Sequence, residues 1–209
     1  MRLIFLGPPG VGKGTQAAKV SAAHDIPHIS TGEMFRNAIR DKTPTGLAVK
    51  ACIDRGDLVP DSMVIDMIKE RISQPDCAKG FILDGFPRTL AQARSLSAII
   101  AIDAVLEFMM PYDFLIGRIT GRRVCSECGG THHIELLDDV NICPGCGAPL
   151  KLRADDNAES IAHRLDVYYA ETSPLIAFYA DEGLLQRVDA ARPSALVAID
   201  IEKLLAPFA

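Results

Sequence analysis

The chain has 209 residues, of which 48% are apolar and 23% charged, and its net charge at pH 7 is −5. This length predicts one domain, or one core with small insertions. The negative charge disfavours nucleic acid as a partner, and no apolar run approaches the ~20 residues that a membrane helix needs. The apolar run Leu3–Leu6 leads straight into a Gly-rich turn, unlike a signal peptide, so we expect a cytoplasmic protein.

Short apolar runs alternate with helical patterns along the chain. The predicted strands are Leu3–Leu6, Pro27–Ile29, Phe81–Leu83, Ala104–Phe108 and Gln186–Val188. The predicted helices are Lys13–Ala23, a segment capped by Ser30 or Thr31, Thr89–Ile100, a helix that follows the strand Ala104–Phe108 and ends at about Gly121, a helix capped by Asn157 that Pro174 bends or breaks, and Pro193–Leu205. This alternation predicts an α/β fold with a five-stranded parallel sheet covered by helices on both faces.

Two stretches interrupt the alternation. Thr31–Pro60 has helical patterns but lies between strands, and Gly121–Asp156 is rich in Gly, Cys and Pro without a long period. A segment this short needs something other than a hydrophobic core to hold its shape. We therefore predict a core of residues 1–29, 60–120 and 157–209, a helical insert of residues 30–59, and a second insert of residues 121–156.

A phosphate-binding loop follows the first predicted strand. Gly7–Lys13 fits the pattern G-x-x-x-x-G-K between a strand and a helix, which is the context that the motif requires. Glycines let backbone N–H groups approach phosphates closely, and the lysine adds a positive charge for the β- and γ-phosphates. Gly14 stands where the general pattern has Ser or Thr, with Thr15 after it. A Gly-rich turn between a strand and a helix that binds no ligand is the less favoured interpretation, because Lys13 and Thr15 stand at the positions that phosphate binding requires.

Asp84 and Arg88 follow the third predicted strand. A carboxylate at the carboxyl end of a parallel strand is well placed to hold Mg²⁺, directly or through water. An arginine four residues later reaches the same crevice, where its guanidinium can bind a phosphate through two hydrogen bonds. Taken alone, the segment would also fit a turn with a surface arginine.

Four of the six cysteines form two C-x-x-C pairs, Cys125/Cys128 and Cys143/Cys146. Each pair is followed by glycine, and in a reducing compartment such pairs indicate metal ligands and not disulfides. Four thiolates suit a closed structural Zn²⁺ site, although the ligands alone leave iron open. Cys52 and Cys77 read as ordinary, partly buried thiols.

The motifs together resemble adenylate kinases of the long bacterial type, in the same order and nearly end to end. The segments that carry the resemblance are Gly7–Thr15, Thr31–Arg36, Asp84–Arg88 with Gln92, Gly121–Arg123, and Arg153–Asn157 with Arg164. The Gly-Lys-Gly-Thr form of the loop is the form that this family uses, which accounts for Gly14. Near the C-terminus the chain has Val-Asp-Ala-Ala-Arg where Val-Asp-Gly is commoner.

The resemblance implies a P-loop kinase core, a nucleoside monophosphate-binding insert and a mobile zinc-bearing lid. It implies a monomer that transfers a phosphoryl group reversibly from ATP, with Mg²⁺, to AMP, giving two ADP. The residues that it assigns to ATP are Gly10, Val11, Gly12, Lys13, Gly14, Thr15, Arg118, Arg122, Thr131, His132 and Arg192. Those that it assigns to AMP are Thr31, Arg36, Asp57, Leu58, Val59, Gly85, Phe86, Pro87, Arg88, Gln92, Arg153 and Arg164, with Gln92 at the adenine edge. The catalytic set is Lys13, Asp84, Arg88, Arg122, Arg153 and Arg164.

The arginines also make physical sense without the family. ATP and AMP bring about six negative charges together, so their approach needs Mg²⁺, Lys13 and several arginines to offset the repulsion. The AMP phosphate is already ionised, and we therefore name no general base. We expect Arg71 and Arg123 to be ordinary surface or salt-bridge residues.

Two other functions remain open on the sequence. One is a kinase for a different nucleoside monophosphate, because acceptor choice depends on few contacts. The other is a nucleotide-dependent switch whose cysteine insert binds nucleic acid. Residues 121–156 carry four basic and six acidic side chains, so this insert lacks the basic face that such binding requires. The guanine-reading motif Asn-Lys-x-Asp of switch GTPases does not occur either.

Overall fold

The computed structural model describes residues 1–153 and 155–208 of the chain. Ala154, within the predicted second insert, and Ala209, at the end of the predicted core, lie outside these residues. The strands in chain order are β1 (Arg2–Leu6), β2 (His28–Ser30), β3 (Phe81–Asp84), β4 (Ala104–Met109), β5 (Arg122–Cys125), β6 (Thr131–His133), β7 (Leu150–Lys151) and β8 (Leu185–Asp189). The α-helices are α1 (Lys13–His24), α2 (Thr31–Arg40), α3 (Pro44–Arg55), α4 (Asp61–Ile72), α5 (Leu90–Ser97), α6 (Tyr112–Thr120), α7 (Ala158–Val167), α8 (Pro174–Asp181) and α9 (Ser194–Leu205).

The main sheet of the described residues has five strands in the order β2-β3-β1-β4-β8. Every neighbouring pair is parallel; Ile4 of β1, for example, lies opposite Leu83 of β3 and Val105 of β4. Parallel strands joined by helices place their carboxyl ends at one edge of the sheet. The predicted five-stranded parallel sheet is confirmed.

Both faces of this sheet are buried, which explains why its strands are apolar throughout. Leu3 and Phe5 point into one hydrophobic core with residues of α1, α7 and α9. Ile4 and Leu6 point into a second core, against residues of α4, α5 and α8. Successive side chains of a strand alternate between faces, so one short run supplies both cores. In the described part of the chain, no helix combines the length and apolarity required to cross a bilayer.

Two segments extend from the sheet where the sequence pattern is interrupted. One segment consists of the helices α2 and α3, which follow β2 and precede α4 in the sequence and pack on each other. Ser30 caps α2, because its side chain accepts a hydrogen bond from the Glu33 N–H as predicted. The other segment contains an antiparallel sheet in the order β6-β5-β7. Its hydrophobic core consists of Cys125, Cys143 and Leu150, with Leu137 and Ala148 packed against them.

The long helix after Asn157 is interrupted just before Pro174. The Asn157 side chain caps α7 by accepting a hydrogen bond from the Ser160 N–H, as predicted. A single π-helical turn, Tyr168–Thr172, then connects α7 to α8. Proline lacks the N–H that would continue the α-helical hydrogen-bond pattern. The chain therefore leaves that pattern for one π-helical turn and continues directly into α8.

Candidate functional site

A cleft of about 1410 Å³ lies at the carboxyl edge of the sheet. Its walls come from the loop after β1, the helix α2, the start of the loop after β3, the β5–β6 segment and the loop before α9. The predicted site residues in its lining are Gly10, Val11, Gly12, Lys13, Gly14, Thr15, Arg36, Leu58, Asp84, Gly85, Pro87, Arg88, Arg118, Arg122, Thr131, His132, Arg153, Arg164 and Arg192. Residues far apart in sequence therefore meet at one site.

The loop between β1 and α1 needs glycine for steric as well as conformational reasons. Gly7, Gly10 and Gly12 have φ values of +149°, +82° and +102°. A Cβ atom at Gly10 would lie 2.4 Å from Ile119 Cγ1, and one at Gly7 would lie 2.7 Å from Phe108 O. Only glycine combines positive φ with this close packing. The loop leads directly into the N-terminus of α1, whose unpaired N–H groups attract anions.

Lys13 is half-buried in a strongly polar environment. Its Nζ donates hydrogen bonds to Gly7 O at 2.7 Å and to Pro8 O at 3.0 Å. Burial lowers the pKa of Lys13 to about 8; the charge of Asp84 opposes this shift, and Arg88 adds to it. Lys13 is thus an ammonium at neutral pH whose charge is poorly compensated by the protein, and an anionic ligand would stabilise it.

Asp84 lies at the carboxyl end of β3 and faces the same space. Burial alone would raise the pKa of Asp84, but the hydrogen bond to His28 and the charge of Lys13 hold it below its usual value. The distance from His28 Nε2 to Asp84 Oδ2 is 3.3 Å. Asp84 therefore remains a carboxylate, which is the form that can hold Mg²⁺ directly or through water.

Among the described residues eight arginines line the cleft, and two aspartates hold part of this set. The arginines are Arg36, Arg40, Arg88, Arg118, Arg122, Arg153 and Arg164, with Arg192 at the far end next to α9. Arg122 Nε donates to Asp156 Oδ2 at 2.7 Å. Arg164 Nη1 donates to Asp155 Oδ2 at 2.8 Å and to Asp156 Oδ1 at 3.2 Å. Burial would raise the pKa of Asp155, but Arg164 and Arg36 hold it below its usual value.

Other arginines of the cleft have little compensation from the protein. Burial, followed by the charge of Arg164, lowers the pKa of Arg88 to about 10. Burial, followed by the charges of Arg122 and Arg36, lowers the pKa of Arg153 to about 9. The buried Nε of Arg153 has no hydrogen-bond partner among the described residues. Both guanidinium groups remain charged at neutral pH, so the cleft has an excess of positive charge that suits phosphates.

Several residues assigned to the AMP side do not line the cleft; all of them are buried except Asp57, which is partly exposed. Among the described residues these are Thr31, Asp57, Val59, Phe86 and Gln92. Thr31 Oγ1 donates to Gly85 O at 2.8 Å. The Gln92 side chain is already engaged, because its Oε1 accepts from Arg88 N and its Nε2 donates to Asp61 Oδ1, both at 2.7 Å. Gln92 keeps one N–H and one lone pair for a base.

The residues assigned to the ATP side line the cleft, but their contacts differ. Arg118 Nη1 donates to Val11 O at 3.4 Å and so touches the phosphate-binding loop. Thr131 and His132 lie on β6 of the small sheet. Arg192 forms an ion pair with Asp200 of α9. The unusual Ala-Ala-Arg segment thus keeps its arginine at the cleft, held by a helix partner.

The four clustered cysteines converge in the small sheet. Their Sγ atoms all lie within 4.8 Å of one another, with 3.4 Å between Cys125 and Cys146 and 3.6 Å between Cys128 and Cys143. A tetrahedral Zn²⁺ with ~2.3 Å bonds to sulfur would set these separations at about 3.8 Å. The two C-x-x-C turns are alike, since Gly129 N donates to Cys125 O and Gly147 N donates to Cys143 O. The cluster fits one four-coordinate metal ion.

The structure adds residues that the sequence patterns did not single out. His28 contacts Asp84, Asp61 contacts Gln92, and the Thr172 hydroxyl donates to Arg88 O at 2.9 Å. Asp156 belongs to a recognised segment, but its pairing with Arg122 has no local sequence signal. All of these contacts join segments distant in sequence, so spacing along the chain does not reveal them. In contrast, Arg71 pairs with Asp76 as an ordinary ion pair, as expected.

The chain is similar in sequence to known proteins along most of its length. A family model described as adenylate kinase matches residues 5–184. The chain is 49% identical to an adenylate kinase of Carboxydothermus hydrogenoformans, over 92% of this chain and 93% of that protein. It is 47% identical to adenylate kinases of a Geobacillus species and of Bacillus mycoides, over 98% of each chain. The range that the family model matches contains the phosphate-binding loop, the cleft arginines from Arg36 to Arg164 and the four clustered cysteines.

Proposed function

The chain belongs to the adenylate kinase family, and from this premise we propose how its cleft transfers a phosphoryl group from ATP to AMP. The observation that carries the proposal is the convergence of Lys13, Asp84 and Arg88 with the other cleft arginines at the carboxyl edge of the sheet. One such cleft, with its excess of partly buried positive charge, suits two nucleotides whose phosphates meet.

Residues on the ATP side bind and orient the phosphates of ATP. The backbone N–H groups of Gly10–Thr15 and the N-terminus of α1 receive them. The Lys13 ammonium, bonded to Gly7 O and Pro8 O in the structure, transfers these bonds to the phosphates. Arg118, Thr131, His132 and Arg192 bind the rest of ATP, and Asp84 holds the Mg²⁺ that accompanies it.

Residues on the AMP side hold the acceptor. Arg36 and Arg88 bind its phosphate, while Arg122, Arg153 and Arg164 surround the group in transfer. The base lies near Thr31, Asp57, Leu58, Val59, Gly85, Phe86, Pro87 and Gln92, and the N–H and lone pair that Gln92 retains pair with the adenine edge. Because the AMP phosphate is ionised, the protein contributes position and charge and needs no general base.

The two inserts cover the cleft when both nucleotides are bound. We assign residues 30–59 to the AMP side, residues 121–156 to a lid, and residues 1–29, 60–120 and 157–209 to the core. Water competes with AMP as phosphoryl acceptor, so the lid excludes water before transfer. The four cysteines hold a structural Zn²⁺, which gives rigidity to a segment with a very small core. We further propose a cytoplasmic monomer.

The proposal is tested by measuring ADP formation from ATP with AMP, GMP, CMP or UMP as acceptor. AMP is expected to be preferred, and a clear preference for a pyrimidine acceptor would contradict the assignment of Gln92. A bisubstrate mimic that joins two adenosines through five phosphates provides the second arm. It is expected to bind more tightly than ATP or AMP alone, because it occupies both halves of the cleft at once. Binding no tighter than ATP would refute the two-nucleotide cleft.

A further inference from the structure

The π-turn between α7 and α8 places a threonine hydroxyl against the AMP side of the cleft. Within this turn the Ser173 N–H donates to Tyr168 O at 2.9 Å, five residues earlier, and Pro174 follows. Isolated π-turns inside helices are frequent at functional sites, because the extra residue redirects the side chains around it. Here the redirected side chain is that of Thr172, which is only 6% exposed and lies at the cleft.

Thr172 makes an unusual hydrogen bond for a threonine in a helix. Such a hydroxyl commonly bonds to a carbonyl three or four residues earlier in its own helix. Thr172 Oγ1 instead donates to Arg88 O at 2.9 Å, across 84 residues of sequence. The neighbouring Ser173 shows the ordinary pattern, because its Oγ donates to Tyr169 O at 2.6 Å. The Ser173 hydroxyl therefore bonds within its own helical segment, whereas the Thr172 hydroxyl connects this segment to Arg88.

Arg88 is held at three points by other residues. Its N–H donates to Gln92 Oε1 at 2.7 Å, its carbonyl accepts from Thr172, and its Nε donates to Gly85 O at 2.8 Å. Its Nη1 and Nη2 have no hydrogen-bond partner among residues 1–153 and 155–208. A guanidinium with its backbone and Nε fixed has only these two nitrogens, with four hydrogens, to offer a ligand.

We propose that Thr172 is a positioning residue, whose hydroxyl fixes the Arg88 backbone so that Nη1 and Nη2 meet the phosphate of the acceptor nucleotide. This inference rests on the proposed function, in which Arg88 binds that phosphate. Phosphoryl transfer depends strongly on alignment, so a small displacement of Arg88 affects both acceptor binding and the rate. Among the described residues, the hydrogen bond of the Thr172 hydroxyl goes to Arg88 and not to the phosphate-binding loop on the ATP side, so we expect ATP binding to change less.

Substitutions at Thr172 and Ser173 of the full-length protein test this role. Thr172→Val keeps the shape and removes the hydroxyl, while Thr172→Ser keeps the hydroxyl. For Thr172→Val we expect KM for AMP to rise about 5- to 10-fold and kcat to fall several-fold, with KM for ATP changed less than about twofold. Thr172→Ser should restore most of the AMP affinity. Ser173→Ala, the matched control, should leave both KM values unchanged.

A double-mutant cycle separates positioning from a general loss of structure. AMP affinity is measured by calorimetry for Thr172→Val, Arg88→Ala and the double variant, with thermal denaturation of each. If Thr172 acts through Arg88, Thr172→Val has no further effect on AMP affinity once the Arg88 side chain is gone. A further loss of the same size in the double variant, or equal effects on ATP and AMP without rescue by serine, would overturn the inference.

The same cycle distinguishes the two levels of the proposal. If Arg88→Ala leaves AMP affinity unchanged, the role of Arg88 in the proposed function is wrong, and the inference about Thr172 fails with it. If Arg88→Ala weakens AMP binding but Thr172→Val does not, only the inference about Thr172 fails. Should Thr172→Val not fold, Thr172→Ala, which adds no new contact, takes its place in the cycle with the same expected outcomes.

Discussion

Arg122 and Asp156 form a two-point ion pair in which the Asp156 side chain is fully buried and the Arg122 side chain is 13% exposed. Asp156 Oδ1 also accepts from Arg164 Nη1 at 3.2 Å. One carboxylate therefore separates two positive charges of the cleft that would otherwise repel each other. The arginines are held in position by the protein itself before any nucleotide supplies negative charge, which reduces the cost of assembling the site.

Asp156→Asn is expected to destabilise the protein strongly. It leaves Arg122 and Arg164 with an amide in place of their shared carboxylate, and breaking a buried ion pair in this way costs about 3–5 kcal/mol. Urea denaturation measures the free energy of unfolding. Asp76→Asn is the control, because the Arg71–Asp76 pair is partly exposed, with the Asp76 side chain 52% exposed, and should be worth less than about 1 kcal/mol. Equal losses in the two variants would contradict the structural role of Asp156.

Lys13→Met and Arg88→Ala are each expected to lower kcat/KM by about 10²- to 10³-fold, the size typical for loss of one charge-stabilising contact at a transition state. Neither change should unfold the protein, because both charges are half-buried and burial disfavours their charged forms. Arg71→Ala, at an ion pair outside the cleft lining, should change kcat/KM by less than about twofold. Turnover and thermal denaturation on the same samples provide the measurement. Unchanged turnover for Lys13→Met would count against the placement of the ATP phosphates.

ATP binding is expected to take up protons at alkaline pH. In the free protein the pKa of Lys13 is lowered to about 8, chiefly by burial, so Lys13 is mostly neutral at pH 9. Phosphate oxygens favour the ammonium and raise this pKa, while the phosphates themselves are already fully ionised at that pH. Lys13 should therefore take up close to one proton on binding at pH 9 and almost none at pH 6.5, and ATP affinity should fall as pH rises above 8.

Calorimetry in buffers with different ionisation enthalpies measures this uptake. In Lys13→Met the uptake at pH 9 should decrease by the share that Lys13 contributes. The stability of the ligand-free protein depends on the pKa of Lys13 in the opposite direction from ATP affinity. The unfolded chain binds more protons than the folded one between pH 8 and about 10.5, so the contribution of Lys13 to the free energy of unfolding increases across that range. Uptake at pH 9 that Lys13→Met leaves unchanged would refute the role of this ammonium.

Features that depend on local sequence could be predicted. The strand β1 is apolar at every position from Leu3 to Leu6 because both faces of the sheet are buried, and this leaves a clear signal. The phosphate-binding loop carries a steric demand for glycine at Gly7 and Gly10, and the cysteine pairs carry ligand spacing. In each case a short segment contains the whole physical cause.

Features that depend on pairing between distant segments could not be predicted. The π-turn at Tyr168–Thr172 follows from Pro174 only in part, since proline equally permits a break in the helix. The Arg122–Asp156 pair joins residues 34 apart, and Thr172 reaches Arg88 across 84. The burial of Gln92 behind Asp61 also has no local signal, although the family resemblance assigned Gln92 to the adenine base.

The cysteine cluster is expected to hold one metal ion per chain that stabilises the lid without taking part in transfer. The hydrophobic core of the small sheet contains few residues, two of which, Cys125 and Cys143, are themselves in the cluster. Bound metal then supplies much of the folding free energy of this segment. Cys143→Ser should abolish metal binding and lower the melting temperature. Cys52→Ser, at a half-buried thiol outside the cluster, should change neither quantity.

Elemental analysis identifies the metal, with zinc expected from four thiolates in a closed site, and a coloured protein would indicate iron. Thermal denaturation with and without a chelator measures its contribution to stability. Because four sulfur ligands leave no open coordination position for a substrate, metal-free protein should retain transfer below its lowered melting temperature. A metal-free sample that stays folded and still closes on the bisubstrate mimic, but no longer forms ADP, would show that the metal acts in the chemistry as well as in the lid.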